Sequence, residues 1–163
     1  MLIKFSVNNY RGFADKIEWD LSHPSNYSFN QNAIKDNILK NGIIYGPNGA
    51  GKSNLGLAVF DIANHLSHKW KKPDYYLNYA SAYNYNQPVN FEYVFKFEDD
   101  TILYKYSKVA KELKGELVKE QLFLNEKELF YNDAGTLRLN KDFALTDMAI
   151  DSVRNSANNI SIV

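Results

Sequence analysis

Eight consecutive residues carry the strongest chemical signal in this chain: Gly46, Pro47, Asn48, Gly49, Ala50, Gly51, Lys52 and Ser53. They satisfy G-x-x-x-x-G-K-[ST], with the apolar run Ile43-Ile44-Tyr45 before them and Leu55, Ala58, Ile62 and Leu66 at helical spacing after. Each residue type has a role in such a loop. Glycines let successive backbone N–H groups curl around one concavity at a helix N-terminus, where an anion is favoured. Lys52 reaches toward β and γ phosphates as the catalytic point charge, and Ser53 sets its hydroxyl on Mg²⁺. The full Asn/Thr-Lys-x-Asp element of guanine-specific proteins is absent. ATP with Mg²⁺ is therefore the expected ligand.

The rest of a hydrolytic site is harder to find. An Asp at the end of an apolar strand would hold the metal, yet the nearest match, Val94-Phe95-Lys96-Phe97-Glu98-Asp99-Asp100, is interrupted by Lys96 and reads as a solvated turn. His65 and His68 share a helix face without further ligands nearby in sequence, which reads as ordinary histidines.

The elements that must position the loop follow from periodicity. Ile3, Phe5 and Val7 alternate with Lys4, Ser6 and Asn8, and a second alternating run covers 16–21, which predicts an antiparallel pair joined by a turn at Tyr10-Arg11-Gly12-Phe13. Residues 22–36 form a polar excursion. Ile43, Ile44 and Tyr45 read as a buried strand feeding the glycine loop, and a helix is expected from the loop to about His68. Phe91, Tyr93, Phe95 and Phe97 alternate with polar neighbours, Asp99-Asp100 turns the chain, and Ile102, Tyr104 and Tyr106 return it as a hairpin. Shorter strands are expected at 117–124, 128–131 and around Leu137 and Leu139, with a final helix from Thr146 to about Ser156.

With the turn Asn9-Tyr10-Arg11-Gly12-Phe13 and the string Gly46 to Leu55 in place, the chain resembles the N-terminal ATP-binding segment of ABC-like ATPases of the SMC, RecF and OLD type. It looks closest to the bacterial AAA family members linked to DNA or phage defence. The likeness covers about residues 1–140, with Phe91–Phe97, Tyr104, Tyr106, Glu120, Leu122, Leu129 and Phe130 as its weaker part.

The resemblance implies an α/β fold: a partial P-loop NTPase core of the ABC-ATPase head type, with N-terminal antiparallel strands and a following antiparallel hairpin sheet. It places Arg11 near the nucleotide phosphates, Asn54 at the end of the binding loop, and Gln87 as a Mg²⁺ and water sensor. It implies a homodimer of heads in the intact parent, with DNA as a partner. The signature motif, an apolar strand ending in Asp-Glu and a switch histidine are missing from the sequence. The 163 residues therefore read as one partial head, with 1–68 as strands, loop and helix, 69–90 as loop, 91–140 as sheet and 141–163 as the start of a helical region. Such a fragment alone is expected to be inactive. A complete small P-loop kinase and a non-catalytic nucleotide-binding adaptor are the alternatives, the first disfavoured by only three arginines and by the aromatic hairpins.

Composition excludes other classes. The 18.8 kDa chain holds 19 basic and 19 acidic residues, so it is no polybasic tail, although Lys69, Lys71, Lys72 and Trp70 form a local cluster suited to a phosphate backbone. Without cysteine there is no disulfide scaffold and no thiolate metal site. Apolar runs fall far short of the roughly 20 residues of a membrane helix. With no signal peptide at the N-terminus, a cytoplasmic location is expected. Aromatic content of 15% fits a folded, strand-rich protein.

Overall fold

Alternation of side chains builds most of the molecule, which is described by a computed structural model over residues 1–26, 28–67, 73–111 and 113–141. The strands are β1 (Leu2–Asn8), β2 (Ile17–Asp20), the two-residue β3 (Ile34–Lys35) and β4 (Ile38–Leu39), then β5 (Val89–Phe97), β6 (Asp100–Lys111), β7 (Lys114–Leu124), β8 (Lys127–Asp133) and β9 (Thr136–Leu139). Helices α1 (Lys52–Val59) and α2 (Asp61–Leu66) meet at Phe60 and form the helical arm. Seven strands make one sheet in the order β2-β1-β5-β6-β7-β8-β9, and β3 pairs with β4 in a small second sheet. Every pairing is antiparallel.

Tight turns allow this meander. Asn125 and Glu126 both have positive φ (48° and 68°), and so do Ala134 and Gly135 (46° and 85°). Two consecutive residues of that kind make the turn whose twist matches the flanking strands.

Period two then sorts the faces. Phe5 lies opposite Tyr93, Phe91 opposite Tyr106, and Tyr104 opposite Leu122, which pairs with Phe130. These residues form one apolar, aromatic face, and the helical arm covers it with Ala58 fully buried and Leu55, Val59, Ile62 and Leu66 packed alongside. Ring centroids stand 4.9 Å apart for Phe91–Tyr106 and 5.0 Å for Phe5–Tyr93, within the range of favourable aromatic pairs. The other face is wet. Lys4 pairs with Glu18 at 2.8 Å, and Glu92 meets Lys16 at 3.0 Å and Lys105 at 3.5 Å, contacts worth at most about 1 kcal/mol each at an exposed surface.

This architecture overturns the expected partial P-loop NTPase core of the ABC-ATPase head type, and with it the resemblance to SMC, RecF and OLD ATPases. A parallel core needs a buried strand running into the glycine loop and crossover connections between parallel strands. Among the described residues there is no parallel pair, and residues 41–50 are exposed, with no strand before the loop. Ile43 is 90% and Tyr45 91% exposed. The helix also stops at Leu66, short of His68, and is interrupted at Phe60. The expected helix 146–156 and the cluster Lys69–Lys72 lie outside the described residues, as does His68.

The two faces should respond differently to truncation. Phe91→Ala is expected to cost about 3–5 kcal/mol of unfolding free energy. Glu92→Ala, one residue on and on the wet face, should cost less than about 1 kcal/mol. Urea denaturation of both variants measures the difference, and equal losses would refute the assigned faces.

Candidate functional site

The glycine string survives as sequence but lacks the setting that would make it a phosphate site. Lys52 opens α1 and turns its ammonium back on the loop, donating to the carbonyls of Gly46 and Pro47 at 2.8 Å each. Gly51, at φ 87°, caps the helix, and a Cβ there would stand 3.0 Å from the Phe13 ring. That close approach, in a conformation L-residues avoid, requires glycine. Gly46, Pro47, Asn48, Gly49, Ala50 and Ser53 are exposed, whereas Asn54 is half-buried with its amide 3.5 Å from the Cβ position of Gly12. The turn 9–13 and the loop thus do meet.

Their meeting is structural. Asn9, buried and at φ 61°, donates through Nδ2 to the carbonyls of Asn84 and Gln87 at 3.0 Å and of Pro88 at 3.3 Å. Tyr10 enters the core, and Arg11 donates to the Tyr75 carbonyl at 3.0 Å while lying over the Tyr10 and Tyr75 rings. Arg11 is therefore a clasp between the first turn and residues 73–76. Gln87 contributes its backbone to the Asn9 knot and leaves its side chain in solvent. No group of three His, Cys, Asp or Glu suited to a metal occurs among the described residues. The sequence-based expectations of ATP and Mg²⁺, of paired ATPase heads and of DNA engagement fall with the fold that would have supplied them.

Polar chemistry concentrates elsewhere, between α2 and the sheet. Asp61 opens α2 fully buried and takes four donors on its two oxygens. Tyr75 and Tyr79 hydroxyls reach Oδ1 at 2.7 and 3.1 Å, while the Tyr106 hydroxyl and Lys108 ammonium reach Oδ2 at 2.8 and 2.9 Å. A carboxylate offers about four lone-pair sites, so this one is saturated. One turn on, His65 stacks on Tyr106 at 4.1 Å between centroids, and its Nε2 lies 2.7 Å from the Tyr104 hydroxyl. Tyr104 in turn donates to the buried carboxylate of Glu120. Because the Tyr104 proton goes to Glu120, the neutral His65 ring carries its hydrogen on Nε2.

Sequence reasoning passed over this cluster, though a signal was there. Asp61 and His65 are four residues apart on the buried side of a helix otherwise lined by Leu55, Ala58, Ile62 and Leu66. Lys108 is in phase with Tyr104 and Tyr106, and Glu120 with Leu122. Charged residues at apolar phase are the mark of a buried network.

The electrostatics follow from burial and partners. Burial pushes the Asp61 carboxyl up, but the Lys108 ammonium and the tyrosine hydroxyls outweigh it and hold the group below its ordinary range. His65 is held below its usual value by burial and then by the Lys108 charge, against the pull of Glu120 and Asp61. Burial raises Tyr79, Tyr93 and Tyr106 well above the ordinary phenol value.

Comparison with protein-family models found no match, and comparison with curated proteins found none either. What the cluster does must therefore be read from its geometry. Asp61 is sealed and its lone pairs are filled, so it anchors rather than reacts.

Two outcomes are expected. Asp61→Asn removes the carboxylate that meets the buried Lys108 ammonium at 2.9 Å and should cost about 3–5 kcal/mol in denaturant unfolding, with much of the loss recovered by adding Lys108→Met. No recovery in the double variant would show that the pair is not the anchor. Stability should also plateau between about pH 6.5 and 10. Below 6.5 the unfolded histidine binds a proton that folded His65 resists. Below about 3.9 the unfolded Asp61 carboxyl does so too, and above 10 the unfolded tyrosines ionise while the buried ones do not. Each group changes the slope by up to about 1.4 kcal/mol per pH unit. A flat profile from pH 4 to 7 would contradict the buried, neutral His65.

Proposed function

We propose that this protein is a polypeptide-binding module that takes an extended strand of a partner along residues 41–46. One observation carries the reading: Ile43, Ile44 and Tyr45 are strand-forming residues, yet they stand in solvent without a ladder. Ile43 and Tyr45 are about equally exposed at 90% and 91%, and Ile44 between them is half-covered at 44%. That is the alternation of a strand with one face turned inward. No described residue pairs with the backbone N–H groups of 41–46, and of their carbonyls only that of Gly46 is used, by Lys52.

An unpaired segment of this kind is a template for strand addition. Main-chain bonds would supply affinity, and the bare Ile43 and Tyr45 side chains would select a partner with β-branched or aliphatic residues at alternate positions. Left bare, the same segment is an aggregation hazard, which favours a fitted occupant over permanent exposure. The seven-stranded sheet and the helical arm hold the segment from both sides. Leu39 donates to the Leu21 carbonyl at 2.9 Å on one side, and Lys52 ties Gly46 to α1 on the other.

The test uses a blocked octapeptide, KTVIVITK, added to isotope-labelled protein. Amide shifts at Ile43, Ile44 and Tyr45 with slowed hydrogen exchange are expected. Ile44→Pro, which removes a ladder N–H without touching the sheet, should abolish both. Unshifted amides at millimolar peptide, or unchanged binding by the proline variant, would overturn the reading.

A further inference from the structure

The helical arm is fastened to the sheet by two polar attachments that titrate differently. At the start of α2 Asp61 binds Lys108 and Tyr106 of β6 together with Tyr75 and Tyr79 from the segment after α2. Near its end His65 lies between Tyr104 and Tyr106 of β6 and Glu120 of β7, 3.6 Å from the Glu120 carboxylate. Ahead of both, in α1, the Ala58 carbonyl accepts from the Tyr93 hydroxyl of β5 at 2.9 Å. By contrast, the sheet is held by long antiparallel ladders whose main-chain bonds need none of these side chains.

We infer that His65 is an acid-sensitive latch: its protonation detaches the helical arm, residues 52–66, from a sheet that stays folded. The geometry supplies the mechanism. The relay runs from His65 Nε2–H to the Tyr104 oxygen, and from the Tyr104 hydroxyl to Glu120. A second proton must go on Nδ1, for which no described residue provides an acceptor. The new cation is buried, with the Lys108 ammonium among the charges that oppose it and the carboxylates of Asp61 and Glu120 favouring it. Opening the arm returns the imidazolium to water at the cost of one helical stripe of apolar contact, the four Asp61 contacts and the Tyr93–Ala58 bond, whereas opening the sheet would break whole strand ladders. The least costly escape is therefore local.

The charged and titratable groups facing His65 are Tyr104, Tyr106 and Lys108 from β6, Glu120 from β7, and Asp61 on α2 itself. Over the range in which an ordinary histidine titrates, Asp61 stays ionised and Tyr106 stays neutral. The inference does not rest on the strand-binding reading, and the latch would operate whatever occupies residues 41–46.

Residue-resolved hydrogen exchange on the full chain, corrected for intrinsic rates, tests it. Between pH 7 and 5 the protection of Leu55–Leu66 amides should fall by up to tenfold per pH unit below about 6.5. Protection in Phe91–Phe95 and Tyr104–Tyr106 should remain. His65→Gln keeps an N–H donor for Tyr104 without the second proton, and it should make the arm equally protected at both pH values. Parallel loss of arm and sheet, no loss in the arm at pH 5, or an unchanged pH slope in His65→Gln would each overturn the latch. A histidine ring titration by proton NMR in the unmodified chain provides the second readout. A midpoint at or above the ordinary histidine value would also overturn it.

Discussion

A buried carboxylate with no spare lone pair organises this molecule. Asp61 lies at the junction of three parts: the first turn of α2, the tyrosine-rich segment after it, and β6. Lys108 and three phenols converge on it from two of those parts. Desolvating an ion pair is costly, and in many proteins the pair could be replaced by apolar residues at no loss. What the charge supplies here is position. An apolar helix on an apolar face can slide by a turn at small cost, but a carboxylate that needs four donors has one seat.

From that seat the rest follows in order. With Asp61 fixed, Ala58 sits under the Tyr93 hydroxyl and His65 reaches Tyr104, so the arm lies along the sheet in one register. The arm's N-terminus then fixes Gly51 against Phe13, and the turn at Asn9–Phe13 is locked in turn by Asn9 on the 84–88 segment and by Arg11 on Tyr75. The bare segment Ile43–Tyr45 is held between this construction and β4. A residue string that looks like a ligand loop is thus a joint, and the backbone N–H groups of 41–46 before it have no partner among the described residues.

Much of the sheet was legible in the sequence because period two is a direct record of which side faces the core. Phe91 to Phe97, Ile102 to Tyr106 and the runs in 117–124 and 128–131 all fall within strands. The helical stripe Leu55, Ala58, Ile62 and Leu66 packs as its spacing required. The failures have equally physical causes. Three consecutive apolar residues, Ile43-Ile44-Tyr45, mark a strand but not its burial, which depends on a neighbour the local pattern does not encode. The glycine loop's residue types are also those of a tight entry into a helix, so motif alone mistook one for the other. Asp61, His65, Lys108 and Glu120 are invisible to a hydrophobic count. They become visible only when each is seen to occupy a position that should be apolar.

The anchoring role of Asp61 is tested most directly by following its carboxyl carbon through an acid titration by NMR in the unmodified protein and in Lys108→Met. A midpoint below the ordinary aspartate range is expected in the unmodified protein, with a clear rise once the ammonium is removed. A midpoint at or above the ordinary value, or one unmoved by Lys108→Met, would mean that the carboxylate is not held by that pair and that something other than Asp61 seats the arm on the sheet.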